Sequence, residues 1–584
     1  MTAATAMQPA EGRPIIKVSG LRVEFQTDDG MVAGVKDVSF EIQPGETLCV
    51  VGESGSGKSV TSLSILRLIE FGGGRIAAGS LEFARGSGEV IDLAKAEPDV
   101  MQGIRGNEIG MIFQEPMSAL NPMMPVGDQI AEVIMTHRGS SQGEARREAI
   151  RLLDRVRIAD AAGRARLHPA ALSGGMRQRV VIAAAIACKP SLLIADEPTT
   201  ALDATVQAEI LDLLADLKAE VGCSLIFITH DIGVVRQIAD RIVVMRQGRI
   251  VDSGTRDGTL AAPREDYTRT LIAASTPTSA TAAPLAIVRD EIPALSIRDL
   301  IVSFPARRAM RSLKPAERLF AVDGISLDIA RGETVALVGE SGSGKTTIAR
   351  AILGLAAADN GRILVAGRPV ETERAGKGRV QFIFQDPQSS LDPRFRAVDS
   401  VTEPLRIAGD RHDLRRRAAV LLHQVGLDET YLDRYTHELS GGQRQRLGIA
   451  RALAASPDLV IADEAVAALD ATTRLQILEL FQSLQATTRL PLLFITHDLA
   501  VVSRIAHRVA VMRFGRLLEI GPTASVLGDP QHAYTRSLVA SAQRGRVVAP
   551  ATRGHRIGPA GTERQWSQLH EVGSGHFVAG PDED

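Results

Sequence analysis

The sequence has few cysteines, few aromatic rings, no excess of either charge and no long apolar run. Cys49, Cys188 and Cys223 are its three cysteines, all in the first half and none at metal-ligand spacing. That pattern argues against a disulfide framework or a cysteine-held metal and reads as buried thiols in a reducing compartment. Aromatic residues make up 3% of the chain and tryptophan occurs once. With 67 basic against 69 acidic residues the net charge is −2, which gives no electrostatic footprint for general nucleic-acid binding. No uncharged apolar stretch approaches the ~20 residues that span a bilayer; Val180 to Cys188 is stopped by Lys189. The first residues carry neither the basic start nor the apolar core of a signal peptide. The expected location is therefore cytosolic, or peripheral to a membrane.

What the chain does have is a repeat. Leu172-Ser-Gly-Gly-Met-Arg-Gln-Arg179, the apolar run Leu192 to Ala195 ending in Asp196-Glu197, and a second run ending in Thr229-His230 follow one another in the first half. Leu439-Ser-Gly-Gly-Gln-Arg-Gln-Arg446, Asp463-Glu464 and Thr496-His497 repeat that order in the second. The offset is constant at 267 residues (440 less 173, 463 less 196, 497 less 230), so one domain is written twice. At 584 residues the chain is too long for one core and suits two such domains. The expected organisation is residues 1–270, a Pro/Ala/Thr linker over 271–291, residues 292–544, and a tail over 545–584.

In each half an apolar strand leads into a glycine-rich loop and then a helix. The first is Thr47 to Val51, then Gly52-Glu53-Ser54-Gly55-Ser56-Gly57-Lys58-Ser59; the second is Thr334 to Val338, then Gly339-Glu340-Ser341-Gly342-Ser343-Gly344-Lys345-Thr346. Glycines let backbone N–H groups converge on phosphate oxygens, and the helix N-terminus adds partial positive charge. The lysine reaches the terminal phosphates and the hydroxyl of Ser59 or Thr346 suits magnesium. Before these loops, Ile15 to Val18, Leu21 to Phe25 and Val38 to Ile42 alternate as separate short strands. Further on, Gln114 and Gln385 each end an apolar run that enters a proline-rich turn. Lys58 to Gln114 spans 56 residues and Lys345 to Gln385 only 40, and the excess around Phe83 to Gly106 reads as a surface insertion. Helical stretches follow at Gln129 to Ile158 and Val398 to Val425. Arg177 and Arg179 suit either nucleotide contacts or an ion-paired face.

Phosphate loop, glutamine turn, Leu-Ser-Gly-Gly signature, Asp-Glu strand end, the Ala201-Leu-Asp203 turn and strand-end histidine, in that order and twice, resemble the nucleotide-binding domains of ATP-binding-cassette (ABC) proteins. The resemblance covers nearly the whole chain. It implies an α/β fold of two tandem P-loop ATPase domains, each a RecA-like core with an antiparallel β subdomain and a helical subdomain. It also implies ATP and magnesium (Mg2+) as ligands. Asp196 and Asp463 would hold the metal with Ser59, Thr346, Gln114 and Gln385. Glu197 and Glu464 would be general bases for the attacking water, and His230 and His497 would hold the γ-phosphate and water in line. Ser173, Gly174 and Gly175 would complete the ATP site of the other half, as Ser440, Gly441 and Gly442 would complete the first. Phe25 and Phe304 stand where the family places a ring against adenine. Neither half lacks its base, histidine or signature serine, so two hydrolytic sites are expected; Ala465-Val466 in place of Pro198-Thr199 leaves room for the sites to be unequal.

A narrower resemblance lies in Phe113-Gln-Glu-Pro and Phe384-Gln-Asp-Pro with their following Leu-Asn-Pro and Leu-Asp-Pro, and in Asp529-Pro-Gln-His532-Ala-Tyr534-Thr535. These are similar to the oligopeptide, dipeptide and nickel import branch; Pro263-Arg-Glu-Asp-Tyr267-Thr268 is a weaker counterpart without histidine. That branch implies a peripheral subunit on the cytoplasmic face of the cell (inner) membrane, docked on two transmembrane permeases and served by an extracytoplasmic binding protein, with no nucleic-acid partner. Peptides, dipeptides or glutathione among them, are the first cargo reading, with nickel or opine-like compounds as alternatives. A soluble tandem ATPase acting on ribosomes or DNA is the rival, and the chain lacks the long charged linker or zinc-binding cysteines it would carry. The tail resembles one that holds an iron–sulfur cluster through cysteines, but it has none and Gly580 stands at an expected cysteine position, so no cluster is expected. The basic stretch Pro305 to Arg318 reads as a solvated loop.

Overall fold

A computed structural model describes residues 13–27, 30–199, 204–275, 292–305, 318–340, 342–370, 379–386, 390–467, 469–544, 557–558, 569–573 and 575–580. Ser341, the Ala201-Leu-Asp203 turn, most of the expected linker and the interior of the basic stretch lie outside them. Apart from residues 203–205 and 470–472, the chain divides into two units between Ser275 and Thr276. The helix Asp266–Ser275 runs on past the expected domain end at 270.

In the first unit β1 (Ile16–Thr27) lies between β2 (Gly30–Ile42) and a later strand, both antiparallel to it. The two short strands expected from Ile15 to Phe25 are thus one. The pairing shifts between Val18 and Leu21, and Gly20 takes φ 58°, so a bulge around a left-handed glycine accounts for the break in alternation. β3 (Thr47–Val51) is buried along its whole length, as a central parallel strand is. β4 (Gly74–Ala84) and β5 (Val90–Asp92) complete the antiparallel sheet, in the order β2-β1-β4-β5.

The segment expected as a surface insertion belongs to the core instead. Phe83, Leu93, Met101 and Ile104 are buried. They pack with the apolar face of β1, and the helix Pro98–Ile104 brings in the last two. Isolated apolar residues among charged ones hide this burial in a linear reading.

β6 (Ile109–Ile112), β7 (Leu192–Asp196), β8 (Ser224–Thr229), β9 (Arg241–Arg246) and β10 (Arg249–Thr255) join β3 in a sheet ordered β10-β9-β3-β8-β7-β6. All its pairings are parallel except β9 with β10. Parallel strands with crossover helices put all their C-terminal ends on one edge, where α/β ligands bind. Those ends carry the phosphate loop after β3, His230 after β8, Asp196-Glu197 at β7 and Gln114 after β6. The helical part expected as one stretch is two helices, Val126–Arg138 and Gln142–Arg155. Gly139 closes the first in the left-handed region, and Ser141 opens the second with a capping box to Glu144.

The second unit repeats the plan. β11 (Leu295–Pro305), β12 (Arg318–Ile329), β14 (Asn360–Val365) and β15 (Arg368–Pro369) form its antiparallel sheet, while β13 (Thr334–Val338), β16 (Val380–Ile383), β17 (Leu459–Asp463), β18 (Leu492–Ile495) and β19 (Arg508–Arg513) are its parallel strands. β20 (Arg516–Pro522) runs antiparallel to β19. Two additions come from the tail, which sequence composition does not predict as structured. β21 (Ile557–Gly558) pairs with β12, and β22 (Leu569–Gly573) with β23 (His576–Ala579) forms a hairpin that pairs with β20. Gly575, at φ 72°, supplies the left-handed residue of that turn.

Candidate functional site

Gly57 and Gly344 open the loop helices Lys58–Ile65 and Lys345–Ile352 in the left-handed region, at φ 99° and 107°. A side chain there would also strike the carbonyl oxygens of Gly34 and Ala321, so glycine is required twice over. Both lysines fold back into their loops. Lys58 Nζ donates to the carbonyls of Gly52 and Glu53, each at 2.7 Å, and Lys345 Nζ to those of Gly339 and Glu340, also at 2.7 Å. Ser56 and Ser343 are buried beneath them, while Ser54, Gly55 and Gly342 are exposed at the rim.

Ser59 Oγ donates to Asp196 Oδ1 at 3.1 Å, and Thr346 bonds Asp463 in the same way. Burial pushes the Asp196 carboxyl up to about 6 against that bond, and burial followed by the Glu464 charge raises Asp463. A hydroxyl and a carboxylate held side by side are hard oxygen donors of the kind magnesium takes.

The acids that follow do not continue the strands. Glu197 and Glu464 have φ 44° and 48°, a left-handed conformation that costs a non-glycine residue roughly 1 kcal/mol or more. Each peptide is held there by its N–H, which donates to Ile228 O at 3.0 Å or Ile495 O at 2.8 Å on the neighbouring strand. The turn aims each carboxylate between two partners. Glu197 accepts from Gln114 Nε2 at 3.0 Å and has His230 Nδ1 3.2 Å from its other oxygen. Glu464 accepts from Gln385 Nε2 at 2.7 Å and has His497 Nδ1 at 3.1 Å. The His497 bond holds Glu464 below the usual carboxylate range. Burial pulls His497 down, but the Glu464 bond and charge outweigh it and leave the imidazole raised.

The structure therefore gathers lysine, hydroxyl, aspartate, glutamine, glutamate and histidine in each unit. The signature residues have other contacts. Ser173 and Ser440 cap the helices Gly174–Ala185 and Gly441–Ala454, accepting from the backbone of Met176 and Gln443. A Cβ on Gly175 would strike Val206, and one on Gly442 would strike Thr473. Arg177 donates to Pro169 O and Arg179 to Val156 O and Glu209, so both are structural anchors. Phe25 packs against the first core beside Gly34 and Gly74, whereas Phe304 is 43% exposed. All three cysteines are buried and free. Among the described residues no helix is long and apolar enough to cross a membrane. The sequence reading gave no role to Tyr267 and Tyr534, which the structure brings to the phosphate loops; their recurrence at the same 267-residue offset was the available signal.

The sequence profile of the ABC transporter family matches residues 35–200 and 322–467. The chain belongs to the ABC transporter family. It is 46% identical over 604 residues to the glutathione import ATP-binding protein GsiA of Escherichia coli (strain K12), covering 97% of each chain. To the GsiA of Salmonella typhimurium (strain LT2) it is 44% identical over 611 residues, covering 98% of each. The chain is an ABC ATPase with two ATP-binding regions, and apart from His230 and His497, which follow them in sequence, the residues of the two site constellations lie within the two matched regions.

Proposed function

We propose that this chain is the ATP-hydrolysing subunit of an importer for glutathione or similar small peptides, docked on the cytoplasmic side of two membrane permeases and supplied by an extracytoplasmic binding protein. The observation that carries the ATPase half is the paired Gln–Glu–His arrangement, present and similarly spaced in both units. The import half rests on near full-length likeness to glutathione import ATP-binding proteins.

In this mechanism Glu197 and Glu464 take the proton of the attacking water, each oriented by its glutamine on one oxygen and its histidine on the other. Lys58 and Lys345 release their loop carbonyls to bind phosphate oxygens, as the loop N–H groups Ser54 to Ser59 and Gly342 to Thr346 converge on the same anion. Ser59, Gln114 and Asp196, and Thr346, Gln385 and Asp463, would hold magnesium, which when bound offsets the phosphate charge. Adenine stacking falls to Phe25 and Phe304. Gln114 and Gln385 touch the base and also open the segment toward the helical part, so they are placed to report nucleotide state to a permease.

The test is uptake of labelled glutathione and of dipeptides by cells lacking the chain and complemented with it. Restored uptake by the parent and none by the Lys58→Ala, Lys345→Ala double variant supports the reading. Unchanged uptake in the deletion refutes the cargo, and co-purification with ribosomes in place of permeases refutes the importer.

A further inference from the structure

In each unit a tyrosine from the last helix reaches the phosphate loop. Tyr267, on the helix Asp266–Ser275, accepts from the backbone N–H of Glu53 at 3.1 Å. Its ring is buried under the Arg246 guanidinium, which lies 4.8 Å from the ring centroid at the end of β9. The turn before it is tied down by buried Asp252 on β10, which accepts from the backbone N–H of Arg264 at 3.0 Å. The second unit reproduces the parts. Tyr534 lies under Arg513 at 4.8 Å, and buried Glu519 on β20 accepts from the backbone N–H of Gln531 and of His532. There the hydroxyl faces Glu340 without a completed hydrogen bond, and Arg513 is shared with the Phe514 ring at 4.7 Å.

The Gly52–Glu53 peptide is thus held from both sides, its N–H by Tyr267 and its carbonyl, Gly52 O, by Lys58. A phosphate that draws Lys58 away frees the carbonyl side, and the tyrosine is then the remaining tie on that peptide. We propose that Tyr267 is a positioning residue for the first ATP site, fixing the Gly52–Glu53 peptide while Lys58 changes partner, and that Tyr534 is its counterpart at the second site with the tie open. The proposal rests on the assignment of the two glycine-rich loops as the ATP sites.

The experiment uses the full chain and ATP. With Lys345→Ala in place, calorimetric titration reads the first site; with Lys58→Ala, the second. Tyr267→Phe keeps the ring and its arginine and removes one hydrogen bond, so the dissociation constant at the first site is expected to rise about fivefold. In the otherwise unaltered chain the same substitution is expected to raise KM for ATP while kcat stays within about twofold. Tyr534→Phe, removing a hydroxyl with no completed bond, is expected to leave the second site within about twofold. The unfolding midpoint of ATP-free Tyr267→Phe is expected to match the parent. An unchanged dissociation constant in Tyr267→Phe overturns the proposal, as do equal losses in both phenylalanine variants or a loss that tracks a lowered midpoint. Failure of the underlying assignment looks different: the Lys58→Ala, Lys345→Ala chain, with both tyrosines intact, would bind ATP like the parent.

Discussion

Gln385 and His497 grip opposite oxygens of Glu464, at 2.7 and 3.1 Å, so the carboxylate has its position and its charge fixed before any substrate arrives. Glu197 is gripped in the same manner by Gln114 and His230. Preorganisation of this kind is what a general base requires.

Glu464→Gln and Glu197→Gln keep the side chain's size and one acceptor oxygen but remove the proposed proton acceptor. Each single variant is expected to lose a substantial part of steady-state ATP turnover, and the double variant to fall by about 10² or more. Phosphate release under saturating ATP checks this. If one single variant kept the full parental rate, its site would not be hydrolytic.

The geometry around glutamine gives a second outcome. Gln385→Glu places a carboxylate where an amide donates, so repulsion against Glu464 replaces a bond. Turnover is expected to fall further in Gln385→Glu than in Gln385→Ala, where water fills the space. The opposite ranking in the same phosphate-release assay would remove the glutamine from the positioning of the base.

His507 sets a pH dependence away from the nucleotide. Its Nδ1 accepts the backbone N–H of Thr334 at 3.1 Å at the start of β13, which only the neutral ring does. Burial lowers its pKa below 6.5, outweighing the nearby Glu333 charge. The folded state therefore binds this proton less readily than the unfolded state. Stability from this group is full above about pH 6.5 and is lost as the pH falls through that value toward the folded pKa. Thermal unfolding at stepped pH is expected to show the fall in the parent, and His507→Asn, which retains an acceptor without a titrating proton, is expected to flatten it. Parallel curves for the two would rule out His507 as the source.

His576 on β23 lies 2.7 Å from the fully buried Glu519, joining the tail to the second unit. His576→Leu leaves that carboxylate one partner short and is expected to cost ~1–3 kcal/mol in urea unfolding. Adding Glu519→Gln is expected to recover part of the loss, a non-additivity that a double-mutant cycle measures. Strict additivity would mean that the pair does not interact.

The residues that the structure gathers in each candidate site were legible because a strand, a glycine loop and a helix each leave a local pattern, and duplication at a constant offset separated pattern from accident. What escaped depends on distant contacts. Nothing near Gly20 says that the strands on either side of it are one. Leu93, Met101 and Ile104 become core only when the helix Pro98–Ile104 folds onto β1. The left-handed turn at Glu197 and Glu464 was hidden too, since an Asp-Glu pair after an apolar run reads as a strand continuing. The reach of Tyr267 to Glu53 crosses more than two hundred positions of sequence, and only the fold supplies it.

The hairpin β22–β23 also changes what the second unit presents to its surroundings. In the first unit β10 ends its sheet among the described residues, and that strand is mostly exposed or half-buried. β20 carries the apolar run Leu517-Leu518-Glu519-Ile520, a sequence that, left at a sheet margin, is a template for pairing with any extended chain. Its neighbour β23 occupies that margin first. Loss of the tail is expected to leave that margin open and to appear as precipitation during purification.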